Sequence, residues 1–381
     1  MRATIPIEHG RQRKAADGIR RLLERLLEAE IVDALLVPME TPTGAITPAL
    51  VSDPDLLSAA RPLAPVMGLN AARIAGKVSI REPRGRIGVV LRPCELRALV
   101  ELVKLQQASP DDLVTIGIDC CGTYDVPTYL AKAQKKAPKK GGRGAGPQLW
   151  AQLFDRLSDN PAAAPPDLRD ACQMCERPHV EQADITVELF GADLNAGIPV
   201  TLPDEMGERL GLEPTEMAGQ RDETIEKIVA ARTEARDARF TAMRQRLDEE
   251  GIEQVLSECV RCHNCMTVCP ICYCKTCLFK SAALDHTPRQ YADWARRKGV
   301  YRLPADTMLF HLTRLNHMVL SCVGCGMCTD GCPAGLPVGQ VFRTIGQQVQ
   351  AKFDYTPGHS VQDGLPIITF REDEWLEKGE E

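Results

Sequence analysis

Two copies of one cysteine spacing limit this chain more than anything else in it. Cys259-x2-Cys262-x2-Cys265-x3-Cys269-Pro270 recurs as Cys322-x2-Cys325-x2-Cys328-x3-Cys332-Pro333. Three cysteines two residues apart wrap a tight loop around one face of a 4Fe-4S cubane, with backbone N–H groups turned toward the sulfurs. The fourth, just before proline, cannot comfortably reach that cubane and ligates the other one, so the motifs interlock. The expected ligand sets are Cys259, Cys262, Cys265 with Cys332, and Cys322, Cys325, Cys328 with Cys269. Zinc is the competing reading, but it usually takes two C-x2-C pairs, with no third cysteine and no Cys-Pro ending.

The sequence holds 16 cysteines in 381 residues. Met1 to Gly10 contains neither an apolar leader nor a twin arginine, so a cytoplasmic protein is expected. In a reducing compartment clustered cysteines serve as metal ligands rather than disulfides. No apolar run approaches bilayer length, so no membrane span is expected. A net charge of −6 and an aromatic content of 4% give no support to nucleic-acid binding. One basic stretch, Lys135 to Arg143, is mixed with glycine and proline and reads as a solvated loop.

Upstream, Ile19, Leu22, Leu23, Leu26 and Leu27 predict an amphipathic helix over residues 10–30. Strands are expected at Ile31–Val37, Arg86–Leu91, Leu113–Ile118 and Ile185–Phe190, with a helix at Glu95–Leu105 after Pro93-Cys94. This alternation implies an α/β domain with a mostly parallel sheet, followed by a mainly helical dicluster ferredoxin domain. Residues 220–250 read as a long, charge-laced helix bridging the two. The expected divisions are 1–218, a linking helix 219–254, the ferredoxin domain 255–350, and a tail 351–381. More than fifty residues separate the cysteine motifs. Met308–Val319 there has helical periodicity and runs into the second motif, which resembles helical ferredoxin domains of larger redox complexes. His311 and His317 on that helix are expected in packing or surface roles. Cys272, Cys274 and Cys277 are surplus to two cubanes and could hold a further metal, substitute as ligands, or pack as small hydrophobes.

Five cysteines lie in the α/β part: Cys94, Cys120, Cys121, Cys172 and Cys175. Cys94 and Cys120 each follow an expected strand, and ligands of open α/β sheets bind beyond the carboxyl ends of strands. With the Cys172-x2-Cys175 pair they can surround one metal centre; buried or reactive thiols are the alternative. Arg92-Pro93-Cys94-Glu95, Ile116-Gly117-Ile118-Asp119-Cys120, Ala171-Cys172-Gln173-Met174-Cys175 and Ala183-Asp184-Ile185 resemble the beta-subunit family of deazaflavin-reducing hydrogenases and formate dehydrogenases. The resemblance covers roughly residues 30–200, and the ferredoxin part follows it. It implies a third 4Fe-4S cluster on Cys94, Cys120, Cys172 and Cys175, with Cys121 able to exchange roles with Cys120. It also implies FAD, with no contacting residue assigned, and partner redox subunits of hydrogenase or formate dehydrogenase type. Electrons would pass between the partner and a flavin, deazaflavin or other acceptor. Cys120-Cys121-Gly122 also loosely resembles the motif of heterodisulfide reductase catalytic subunits. A flavin-free conduit, and a scaffold whose metal is only structural, are the other readings.

Overall fold

The computed structural model describes residues 1–7, 15–80, 85–136, 146–215 and 220–369. Most of the basic stretch, the first residues of the 10–30 helix, and the end of the tail lie outside the described residues.

Seven strands make one sheet: β1 Arg2–Ile5, β2 Ala34–Glu40, β3 Ile46–Val51, β4 Ile87–Leu91, β5 Leu113–Ile118, β6 Ile185–Val187 and β7 Ile198–Thr201. Their order is β1-β7-β6-β5-β4-β2-β3. The four central strands β2, β4, β5 and β6 are parallel neighbours. The edges are antiparallel, β3 pairing with β2, and β7 with β6 and β1. The sheet is therefore mixed, with the expected parallel centre.

Side chains alternate between two cores, as the two-residue period of a strand requires. Leu35, Val37, Val90 and Ile116 join one core with Ile19, Leu22 and Leu26 of the helix Ala15–Glu28. Leu36, Val89 and Leu91 face the other way, against the helices Ala72–Ser79 and Pro93–Lys104. Helices on both faces explain why all of β4 is buried.

Two expected strands are displaced for local reasons. Ile31 and Val32 return their N–H groups to Leu26 O at 3.0 and 3.3 Å, which keeps them in a turn, so β2 begins at Ala34. β6 stops at Val187 because the Asp119 carboxylate takes the N–H groups of Leu189 and Phe190, at 2.9 and 3.2 Å. Asp119 also accepts from Val180 N at 3.0 Å and pairs with Arg221.

The helix Arg221–Val255 bends at Gly251 and is less exposed than its charge pattern predicts. Ile228 enters the core of the α/β layer, while Met243 and Val255 pack with Val341 of the helix Val338–Lys352. The C-terminal part is helical, with Pro288–Lys298 and Thr307–Met318 between the cysteine motifs. Its own core gathers Met266, Phe279, Phe310, Met318 and Phe342. Residues 353–369 return to the α/β layer: Tyr355 OH and Gly358 N both donate to the fully buried Glu101, each at 2.7 Å. No helix among the described residues is long and apolar enough to cross a membrane.

Candidate metal centres

The α/β layer delivers its cysteines from the ends of adjacent parallel strands. Past β4, Pro93 opens a helix at a position where no backbone N–H is needed. Glu95 accepts the Arg92 N–H at 3.0 Å, and Arg92 Nη2 donates to Ala64 O and Val66 O at 2.8 and 2.9 Å. This lattice fixes Cys94 in the first helical turn. Past β5, Cys120 N donates to Pro178 O at 2.9 Å. Cys172 lies in the short helix Asp170–Gln173, and its sulfur accepts Thr123 N at 3.4 Å.

Cys94, Cys120, Cys172 and Cys175 are thereby brought together, each lying within the electrostatic reach of others in the set. Burial pushes the Cys94 thiol well up, that of Cys120 to about 11, and that of Cys175 upward as well. Cys121 takes the other side of the chain. It packs in the apolar core, its thiol is pushed up by burial, and its carbonyl accepts Arg232 Nη2 at 3.0 Å.

In the helical part the two motif loops share one backbone. Arg261 and His263 sit at positive φ, 52° and 63°, and Gly324 and Gly326 hold the corresponding positions at 71° and 75°. These turns aim amides at sulfur: Arg261 N donates to Cys259 Sγ at 3.4 Å, and the Gly324 and Met327 amides bond Cys322 and Cys325. Cys259 and Cys265 have Cys262 and Cys332 as charge neighbours. Cys328 has Cys269, Cys322 and Cys325, and burial pushes Cys269 up to about 12.

Sequence reasoning missed the arginines among the sulfurs. Arg314, buried on the helix Thr307–Met318, donates from Nη1 to Cys265 Sγ at 3.0 Å and from Nη2 to Cys265 O at 3.2 Å. The rings of Phe310 and Phe342 cover its guanidinium at 5.5 and 4.9 Å. The signal was present: a cation on the apolar face of a helix needs a partner. His311 is buried, as a packing role requires, and its Nε2 lies 3.3 Å from Cys259 Sγ. Burial, then Arg314, lowers its pKa to about 4, so the ring is neutral. His317 is exposed.

The two parts meet where Cys94 and Cys325 are charge neighbours. Arg169 spans that junction. Its Nη2 donates to Cys325 O at 2.8 Å, its Nη1 to Thr123 Oγ1 at 3.2 Å, and it pairs with Asp330 at 2.5 Å. Arg343 adds a second tie, to Glu176 at 2.6 Å and Met174 O at 3.2 Å. Mostly half-buried thiols, with amides and guanidinium groups turned to them, suit a thiolate-bound cluster whose negative charge needs compensation.

Among the described residues no three His, Cys, Asp or Glu side chains converge as they would on a single metal ion. A cubane asks for no such point of convergence, because each cysteine binds a different iron. Of the surplus thiols, Cys274 is exposed and the Cys277 sulfur lies 3.8 Å from Met266 Sδ. No flavin-contacting residue is assigned among the described residues. Spaces of about 250 and 100 Å³ adjoin Phe190–Asp193, and one of about 240 Å³ adjoins Arg169 and Asp330. Each is below the roughly 300–1,000 Å³ usual for such sites. A space of about 430 Å³ lies among residues 353–369 and is lined by no cysteine.

The fold and cysteine groups define an iron–sulfur protein, an α/β layer joined to a helical cluster-binding part. Residues 255–336 match the 4Fe-4S dicluster domain family. Over a longer span the chain is similar to the F420-dependent formate dehydrogenase subunit beta of Methanocaldococcus jannaschii, 26% identical over 313 residues, covering 74% of this chain and 76% of that one. It is also similar to the F420-dependent formate dehydrogenase 1 subunit beta of Methanococcus maripaludis, 25% identical over 390 aligned residues and 92% of each chain. The family resemblance read from the sequence thus holds well beyond residues 30–200.

Proposed function

We propose that the chain is the iron–sulfur electron-transfer subunit of a larger oxidoreductase, relaying single electrons through three cysteine-held centres in series. Cys259, Cys262, Cys265 and Cys332 hold the outer centre; Cys322, Cys325, Cys328 and Cys269 hold the middle one; Cys94, Cys120, Cys172 and Cys175 hold the third. Bound there, each 4Fe-4S cluster would take up and release one electron. The observation that carries the reading is the proximity of Cys94 to Cys325, which leaves the third cysteine set beside the middle one. Arg314 and the motif-loop amides favour added negative charge on the sulfurs, and the apolar cores around them exclude water. Arg169 locks the two parts in register across the junction. The chain divides at the long helix into the α/β part, residues 1–218, and the cluster domain, residues 255–350. By the names of the relatives, the larger oxidoreductase is of formate dehydrogenase type.

The test is iron and sulfide analysis of anaerobically purified protein, with reductive titration. About 12 irons per chain are expected. About 8, unchanged by Cys94→Ala, would remove the third centre. A second reading adds a flavin, because a deazaflavin acceptor, named in both relatives, takes electrons in pairs. A stoichiometric flavin in an acid extract would support this second reading, and its absence the flavin-free conduit.

A further inference from the structure

Residues 259–305, the first motif and most of the chain that follows it, contain eight lysines and arginines against two aspartates, a net +6 in a chain whose total is −6, with Arg261 and Arg302 paired to Asp306 and Glu253 just outside. The rest of the molecule therefore carries −12, and the charge is strongly segregated. The positive groups are mostly at the surface: Lys275, Lys280, Arg289, Arg296, Arg297 and Lys298 are all exposed. Apolar side chains stand out among them, Val260 at 61%, Leu278 at 51% and Val300 at 78% exposure. Within this stretch the ligand Cys262 is exposed, while Cys269, and Cys322, Cys325 and Cys328 of the second motif, are half-buried. An exposed ligand marks the point where an outside donor comes nearest to a centre.

We propose that this basic face docks an acidic one-electron carrier protein beside Cys262. The inference rests on the relay reading and names the class of partner at its outer end. Opposite charge steers encounter, and scattered exposed apolar groups supply short-range contact, the usual division of labour in a transient electron-transfer complex. One electron leaves the reduced carrier and enters the outer centre; no bond is made or broken and no proton moves. Nucleic acid suits the face less well. His286, Tyr291 and Trp294 pack edge to face on one another at 4.8 to 5.7 Å, rather than standing open as stacking platforms.

The probe is an acidic bacterial two-cluster ferredoxin, titrated calorimetrically into the anaerobic chain at 20 and 300 mM salt. Binding should weaken at least tenfold at the higher salt, and tenfold at low salt in the variant Lys275→Glu/Lys280→Glu/Arg297→Glu. Reversal of exposed charges elsewhere, Lys227→Glu/Arg246→Glu on the long helix, should leave it unchanged. Absence of binding at 20 mM salt, indifference to salt, equal losses in both variants, or displacement of the ferredoxin by duplex DNA would each overturn the proposal. Iron content and dithionite reduction on the same samples separate the two levels. Loss of reducible iron in the parent chain refutes the relay, whereas full reducible iron without ferredoxin binding refutes only the docking face. The salt series on the parent chain stands even if a variant folds poorly.

Discussion

Replacing Arg314 by Gln should make the outer centre harder to reduce by an amount the contacts allow to be worked out. The guanidinium is buried, with Nη1 3.0 Å from Cys265 Sγ, and its charge opposes the negative charge that reduction adds. A hydrogen bond to a charged group contributes about 1.5–3 kcal/mol. Coulomb attraction between unit charges about 6 Å apart at an effective dielectric of about 20 gives about 2.8 kcal/mol, within the same range. At 59 mV per 1.36 kcal/mol for one electron, the midpoint of that centre should fall by about 65–130 mV. Arg314→Lys, which keeps charge but loses the planar fork, should fall by less. Anaerobic redox titration followed by electron paramagnetic resonance resolves such shifts, and the third centre acts as the internal reference, because Arg314 also lies within electrostatic reach of Cys269 and Cys328 of the middle one. A midpoint within about 20 mV of the parent in Arg314→Gln, at full iron content, would refute the electrostatic reasoning. A shift of similar size in all three centres would instead point to a general loosening of the fold.

The interlock makes a crossed prediction: Cys332→Ala should damage the centre of the first motif and Cys269→Ala that of the second, each lowering iron from about 12 to about 8. Iron analysis with spectroscopy decides it, and loss of the motif's own centre in either variant would reverse the pairing. Gly326→Ala should destabilise by about 2–5 kcal/mol, combining a left-handed residue with overpacking, because a Cβ there would lie 2.3 Å from Ala171 Cβ. Gly335→Ala has a similar φ of +64° with nothing within 4 Å and should lose only about 1–2 kcal/mol. Equal thermal shifts in the two glycine variants would show that the contact with Ala171 is unimportant.

What was legible followed from pattern strength. β4 and β5 announced themselves as β-branched runs buried on both faces, and β5 runs from Leu113 to Ile118 as expected. β1, β3 and β7 were not seen. β1 has four residues, while β3 and β7 carry Pro48 and Pro199, and short or proline-bearing strands survive mainly by pairing at an edge. The dicluster domain was legible because its cysteine spacing is written along the chain. The arginines were not, since Arg314 meets Cys265 from a helix 49 residues later and Arg169 meets Cys325 across 156. Contacts of that separation depend on tertiary packing and leave no local signature.

The two motif loops show how surroundings, rather than the cluster motif, select residues at the same backbone positions. Both loops need left-handed geometry at the second and fourth residues after the first cysteine. In the second loop a Cβ at 324 would lie 2.6 Å from Arg343 Nε, and one at 326 would meet Ala171, so only glycine satisfies both backbone and space. In the first loop Arg261 and His263 occupy these positions as non-glycine residues. Their side chains have places to go, Arg261 to Asp306 and His263 against the ring of Phe310 at 4.9 Å. The second loop is therefore pressed into the α/β layer while the first keeps an outward side with Cys262 exposed. A duplicated motif has diverged into an inner and an outer copy. That asymmetry, more than the motif itself, gives the proposed relay an end that meets a partner and an end that meets the third cysteine set.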